Sequence, residues 1–179
     1  MKKVLCLWII YLVSPTISIQ AQKLLPKSMT KSEEAILDTY LSKFSEKTAT
    51  NPPDFPVRTM AEWEEIKAIT LSWQGYIGVL TEIVREAVEE VEVIIFTSNS
   101  SSVENILINA GVNTDQVTYI NQSTNSIWIR DYGQHTVYAN DVEDQVLIDW
   151  IYNRPRPLDD ESPELIADYY DYELYNTNT

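Results

Sequence analysis

Between Ile66 and Ile120 short apolar runs alternate with amphipathic stretches, and few folds accept that order. Val91 to Phe96 is apolar apart from Glu92, as in a strand covered on both faces. Before it, Val79 to Val88 carries Leu80, Ile83, Val84, Ala87 and Val88 at helical spacing. After it, Val103 to Ala110 reads as a short helix with Gly111 at its C-terminal end. Ile66 to Trp73 and Val117 to Ile120 read as flanking strands. Strand-helix-strand-helix-strand is an α/β order. The runs that follow, Ile127 to Ile129, Thr136 to Tyr138 and Gln145 to Ile151, predict further strands of antiparallel character, and Pro163 opens a last helix toward Tyr172. No internal repeat of the kind that marks a solenoid is visible.

The N-terminal part has a different grammar. Met1-Lys2-Lys3 followed by the apolar Val4 to Val13, with Ala21 as the small residue at a cleavage point, predicts a signal peptide over 1–21. Such a stretch is too short to span a bilayer, so the expected location is secreted or periplasmic, with no membrane span. Thr30-Lys31-Ser32-Glu33 has the form of a capping box. The helix it starts places Ile36, Leu37, Tyr40, Leu41 and Phe44 on one face. Lys47 to Pro56 is polar and rich in proline. Residues 22–56 are therefore read as an N-terminal helix and linker, and 57–179 as the main domain.

Charge and inventory exclude several functions. A net charge of -14 opposes binding to nucleic acid or to anionic membranes. It suits cationic ligands such as arginine-containing peptides, although an acidic surface commonly serves solubility alone. Cys6 is the only cysteine and lies in the leader, and His135 is the only histidine. The remaining chain offers no disulfide, no thiolate nucleophile, no ordinary zinc site and no Ser-His-Asp triad. Gly75, Gly78, Gly111 and Gly133 match no phosphate-binding loop, so no cofactor is expected. Asp159, Asp160, Glu161 and Glu164 lack calcium-loop spacing and read as a solvated acidic loop; no metal is expected.

Two segments carry candidate chemistry. In Ser126-Ile127-Trp128-Ile129-Arg130-Asp131-Tyr132-Gly133, a carboxylate follows an apolar run, where it must be paired or must hold a cation. In Tyr152-Asn153-Arg154-Pro155-Arg156-Pro157, two guanidinium groups stand on a proline-stiffened segment. A cation site and an anion site together suit a substrate bearing both charges. The plainer alternatives are an internal Arg130–Asp131 pair at a strand end, and arginines that merely neutralise Asp159, Asp160 and Glu161.

Ala61-Glu62-Trp63-Glu64, Leu71-Ser72-Trp73 and Ile127-Trp128-Ile129-Arg130-Asp131-Tyr132-Gly133 resemble the bacterial, porphyromonad-type peptidylarginine deiminases and their agmatine deiminase relatives. The resemblance implies a five-bladed α/β propeller, the pentein fold, built of ββαβ-type modules, with only the first modules in this chain. It implies hydrolysis of an arginine guanidinium to citrulline and ammonia through a cysteine thiolate. Asp131 takes the position of the first carboxylate that grips the guanidinium, and Trp128 that of an aromatic beside the substrate's alkyl stem. Arg154 and Arg156 resemble the pair that contacts the carboxylate of a C-terminal arginine. Trp63 and Trp73 are read as core, and Arg130 as a structural partner within the Asp131 loop. Gln134 and His135 replace the family's usual proline, and no catalytic role passes to His135. The family's His-x-Asp element and cysteine nucleophile have no counterpart before Thr179, so this polypeptide is expected to be inactive alone. An agmatine deiminase is the same-fold alternative, since agmatine has no carboxylate for Arg154 and Arg156. A non-enzymatic arginine-peptide-binding module is the alternative from another class.

Overall fold

Three parallel strands organise the chain, and the pattern of β3 explains why. The computed structural model describes residues 24–44, 49–139 and 144–177; the leader read over 1–21 lies outside them. The β2 strand (Ala68–Ser72), β3 (Glu92–Phe96) and β4 (Val117–Ile120) form a sheet in the order β2-β3-β4. Alternate side chains of a strand face opposite ways. Val93 and Ile95 accordingly pack under α3 (Ile77–Ala87) and α4 (Ser100–Asn109), against Val84, Val103 and Leu107. Ile94 and Phe96 pack on the other face, against Leu147, Ile166 and Ala167. Each such large apolar side chain contributes about 1.5–3 kcal/mol by leaving water. Two-sided burial is what this largely apolar run encodes.

Glu92, the charge in that run, is held at the strand's start. It accepts hydrogen bonds from Thr118 Oγ1 at 2.6 Å and from the Tyr169 and Tyr170 hydroxyls at 2.7 Å. Burial raises its carboxyl pKa, but those three donors outweigh burial and leave it below the ordinary value.

A second sheet, order β1-β5-β6-β7, contains β1 (Arg58–Thr59), β5 (His135–Tyr138), β6 (Gln145–Asp149) and β7 (Leu174–Asn176). The β1–β5 and β5–β6 pairs are antiparallel and β6–β7 is parallel. The helix α7 (Ser162–Tyr170) covers β6 and returns the chain to β7. The N-terminal segment has α1 (Lys31–Glu34), with the capping box formed as the pattern predicts, and α2 (Leu37–Phe44). The result is a mixed α/β architecture, and its two sheets close into no propeller.

Four expectations are corrected. Ile127 to Ile129 forms no strand: Ile129–Tyr132 is a short helix, α5. Gly133 ends it, donating its N–H to Ile129 O at 2.7 Å, and a Cβ at Gly133 would stand 2.9 Å from that oxygen. Asp159 and Asp160 lie in α6 (Pro157–Asp160) at 0% and 5% exposure, so they are no solvated loop. Trp63 is 88% exposed and is not core, because the turn around Ala61–Glu64 projects it from the domain. Arg130 is exposed and leaves the pairing of Asp131 to another residue.

Candidate functional site

The site begins where the parallel sheet ends. Ligand crevices in open α/β sheets form beyond the carboxyl ends of strands, and Ser72 is the last residue of β2. Its hydroxyl meets Thr124 Oγ1 at 2.6 Å and donates to Ser126 O at 3.1 Å. Tyr132 donates its hydroxyl to the same Ser126 oxygen at 2.7 Å. Asp159 holds the other side of this loop, accepting from Asn125 N at 2.7 Å and Ser126 N at 3.0 Å through Oδ1, with Ser126 Oγ 2.7 Å from Oδ2. The loop leading into α5 is thus fixed at both ends by buried groups. Desolvation pushes the Asp159 carboxyl up to about 6, against the pull of its hydrogen bonds and of Arg156.

On this frame, α5 presents Asp131 to a cavity lined also by Lys27, Trp150, Tyr152, Asn153 and Arg154. Asp131 Oδ1 lies 3.7 Å from Lys27 Nζ. Its Oδ2 is buried without a hydrogen-bond partner among the described residues, as is Arg154 Nε. The Arg154 guanidinium lies 5.8 Å from the centroid of the Tyr152 ring. Tyr152 packs edge-on against Tyr132, 5.6 Å away, and its backbone N–H donates to Asp160 Oδ1. A carboxylate and a guanidinium with unused polar atoms therefore share one cavity, and buried aspartates fix the nearby backbone at Ser126 and Tyr152.

The other two sequence candidates sit differently. Trp128 is half-buried, and its Nε1 donates to Leu25 O at 3.0 Å. Arg156 is 1% exposed and does not line the cavity. Its Nε donates to Glu33 Oε1 at 2.7 Å, and its Nη2 reaches Pro26 O, Ser28 O and Glu33 Oε2. The hydrogen bond from Arg156 leads in drawing the Glu33 carboxyl down to about 2, overcoming the opposing effect of burial. Arg156 gives its ion pair to Glu33 and not to the acidic run. Sequence reasoning missed Lys27, Trp150 and Glu33. Of these only Glu33 carried a signal, its place in the capping box.

Residues 55–155 match the family of Porphyromonas-type peptidyl-arginine deiminases. The chain belongs to that family. The matched span includes α5, Asp131 and Arg154. Among solved structures, the chain is similar to an agmatine deiminase of C. jejuni, with 20% identity and a TM-score of 0.55 over 72% of this chain and 42% of that one. An agmatine deiminase of Enterococcus faecalis shares 18% identity at a TM-score of 0.53, over 73% and 41% of the two chains. A Porphyromonas gingivalis protein designated an arginine deiminase shares 14% identity at a TM-score of 0.58, over 68% and 40%. At these identities the likeness shows the fold. The chain spans about two-fifths of the length of the structures it matches. Among the described residues no helix is long and apolar enough to cross a membrane, and no cluster of His, Cys, Asp or Glu could hold a metal.

Proposed function

We propose that this chain supplies the guanidinium-binding face of a secreted deiminase of the peptidyl-arginine type, its two sheets being the first modules of a five-bladed propeller. The observation that carries this reading is the shared cavity, in which Asp131 Oδ2 and Arg154 Nε are both buried and unpartnered. A carboxylate holds a guanidinium in a planar, two-pronged geometry that fixes its carbon for in-line attack. Asp131 does this, Trp128 flanks the alkyl stem, and Arg154 takes the substrate carboxylate. Arg156 stays paired with Glu33 beside the segment that carries Arg154. The nucleophile is a cysteine thiolate from outside this chain's cysteine-free main domain. It adds to the guanidinium carbon, ammonia leaves with the electron pair of the broken C–N bond, and water then hydrolyses the thiouronium intermediate to the ureido product and regenerates the thiol.

The agmatine deiminase reading has support of its own, because two similar structures are agmatine deiminases and only one arginine lines the cavity. Binding separates the two. Nα-acetyl-arginine, its amide and agmatine are titrated against the purified chain and its Arg154→Ala variant. The peptidyl-arginine reading expects the acid to bind best and Arg154→Ala to weaken the acid alone by roughly tenfold or more, the loss of one charged hydrogen bond. Agmatine binding as tightly as the acid, with no effect of Arg154→Ala, assigns the site to agmatine.

A further inference from the structure

Three of the four residues expected to meet substrate are already occupied by one segment of the same chain. Trp128 Nε1 donates to Leu25 O at 3.0 Å. Lys27 Nζ stands 3.7 Å from Asp131 Oδ1. Arg156 Nη2 donates to Pro26 O at 2.9 Å and Ser28 O at 3.3 Å.

Both ends of this segment are anchored. At one end Leu24 lies on Gly75, where an added Cβ would fall 2.5 Å from Leu24 Cδ1, and where φ is +53°. That backbone favours glycine, and its missing side chain leaves the space that Leu24 fills. At the other end Glu33 closes the capping box and grips Arg156. Between the anchors Pro26, Lys27 and Ser28 are exposed, and the polar contacts to Arg156 and Asp131 hold the middle. A long-stemmed cation at Asp131, with neighbouring main-chain carbonyls on an indole and a guanidinium, is the set of contacts an arginine peptide would make along the same track.

We infer that residues 24–33 form an intramolecular pseudosubstrate strap, in which Lys27 holds the guanidinium position at Asp131 and must leave before a guanidino ligand binds. The inference rests on the reading of Asp131 as the guanidinium holder. The exchange is chemically feasible. The ammonium meets Asp131 as a single point charge, whereas a guanidinium offers two parallel N–H donors to one carboxylate. The strap lowers apparent affinity by the fraction of molecules in which it is open. Its use of main-chain carbonyls also favours peptide ligands over small free amines, because a peptide replaces those acceptors and agmatine does not.

The test is titration of Nα-acetyl-arginine, followed by calorimetry, into the whole chain, Lys27→Ala, Lys27→Arg and a form beginning at Thr30. An exposed ion pair at this distance is weak, so Lys27→Ala should tighten binding by about three- to fivefold. Lys27→Arg should bind no tighter than the whole chain. The shortened form should gain roughly tenfold or more, and a synthetic peptide of residues 24–34 added to it should compete with the ligand. If the shortened form does not fold, Lys27→Ala against Lys27→Arg still decides. Asp131→Asn in the Lys27→Ala background separates the two readings. Binding that depends on Asp131 but is equal with and without Lys27 overturns the strap and leaves the site. Binding indifferent to Asp131, or absent from every form, overturns the site and the strap with it.

Discussion

Arg156 and Glu33 form a buried ion pair at 2.7 Å across 123 positions of sequence, tying the first helix of the chain to the segment that carries Arg154. The guanidinium is almost fully buried, so loss of its partner leaves an uncompensated charge inside the protein.

Glu33→Gln keeps the shape of the side chain but removes the charge and turns one of the two oxygens that accept from Arg156 and Thr30 into a donor. It should cost about 3 kcal/mol in urea unfolding at neutral pH. The pair also sets an acid limit. The folded-state value of about 2 lies below the ordinary 4.5, so the stabilisation is present above pH 4.5 and is lost as pH falls toward 2. The wild type should lose on the order of 3 kcal/mol across that window, and Glu33→Gln should lack this loss. Equal acid sensitivity in both proteins would place the ion pair outside the folding energetics.

Asp159 works in the opposite sense. Its folded-state value of about 6 exceeds the ordinary 3.8, so the native protein keeps a proton that the unfolded chain has released. Its contribution is fully present below pH 4 and declines as pH rises through 6. Protonated, Asp159 donates from Oδ2 to Ser126 Oγ while Oδ1 accepts the N–H groups of Asn125 and Ser126. Asparagine copies that arrangement without a charge. Asp159→Asn should therefore flatten the stability profile between pH 4 and 6 and exceed the wild type at pH 7 by on the order of 3 kcal/mol. A variant less stable than wild type at pH 7 would mean that the Asn125 and Ser126 donors stabilise the carboxylate more than burial penalises it, so that its pKa is not raised.

What the sequence makes legible follows the range of the interactions involved. The β2-β3-β4 sheet and its two helices are readable because alternation within β3 and helical spacing in α3 are local signals. Asp131 and Arg154 are readable as charges placed against apolar or stiffened backbone. Ile127 to Ile129 misleads because three apolar residues do not distinguish strand from helix, and the Gly133–Ile129 closure decides it. Asp159 and Asp160 resemble surface acids because the N–H groups that Asp159 holds lie over thirty positions away in sequence, at Asn125 and Ser126. Strand β7 is defined by pairing with β6, and Lys27 joins Asp131 only through the fold.

The turn after α5 gives a direct test of how Asp131 is placed. A methyl group on Gly133 meets the Ile129 carbonyl at 2.9 Å, a backbone atom that yields only if the helix moves. Gly133→Ala should lower stability by about 1–3 kcal/mol and should weaken binding of Nα-acetyl-arginine by more than its effect on folding explains at saturating stability. Thermal unfolding and calorimetry on the same preparation check both. A variant with wild-type stability and affinity would show that α5 shifts without consequence.

The catalytic effect of Asp131→Asn is best read in a polypeptide that also carries a cysteine nucleophile. The present chain, whose only cysteine is Cys6, should form no ureido product from arginine, peptidyl arginine or agmatine. On the proposed reading the Asp131 carboxylate grips the guanidinium before and during attack, so losing its charge should lower binding and turnover together. Asparagine presents one acceptor and one donor where two acceptors are needed, and its N–H groups face those of the guanidinium. The combined loss of charge and fork geometry in a closed site is worth several kcal/mol, or about a thousandfold in kcat/KM. Comparison of kcat/KM for the two enzymes decides it. A variant within tenfold of wild type would make Asp131 a structural end to α5, with the guanidinium held by another carboxylate.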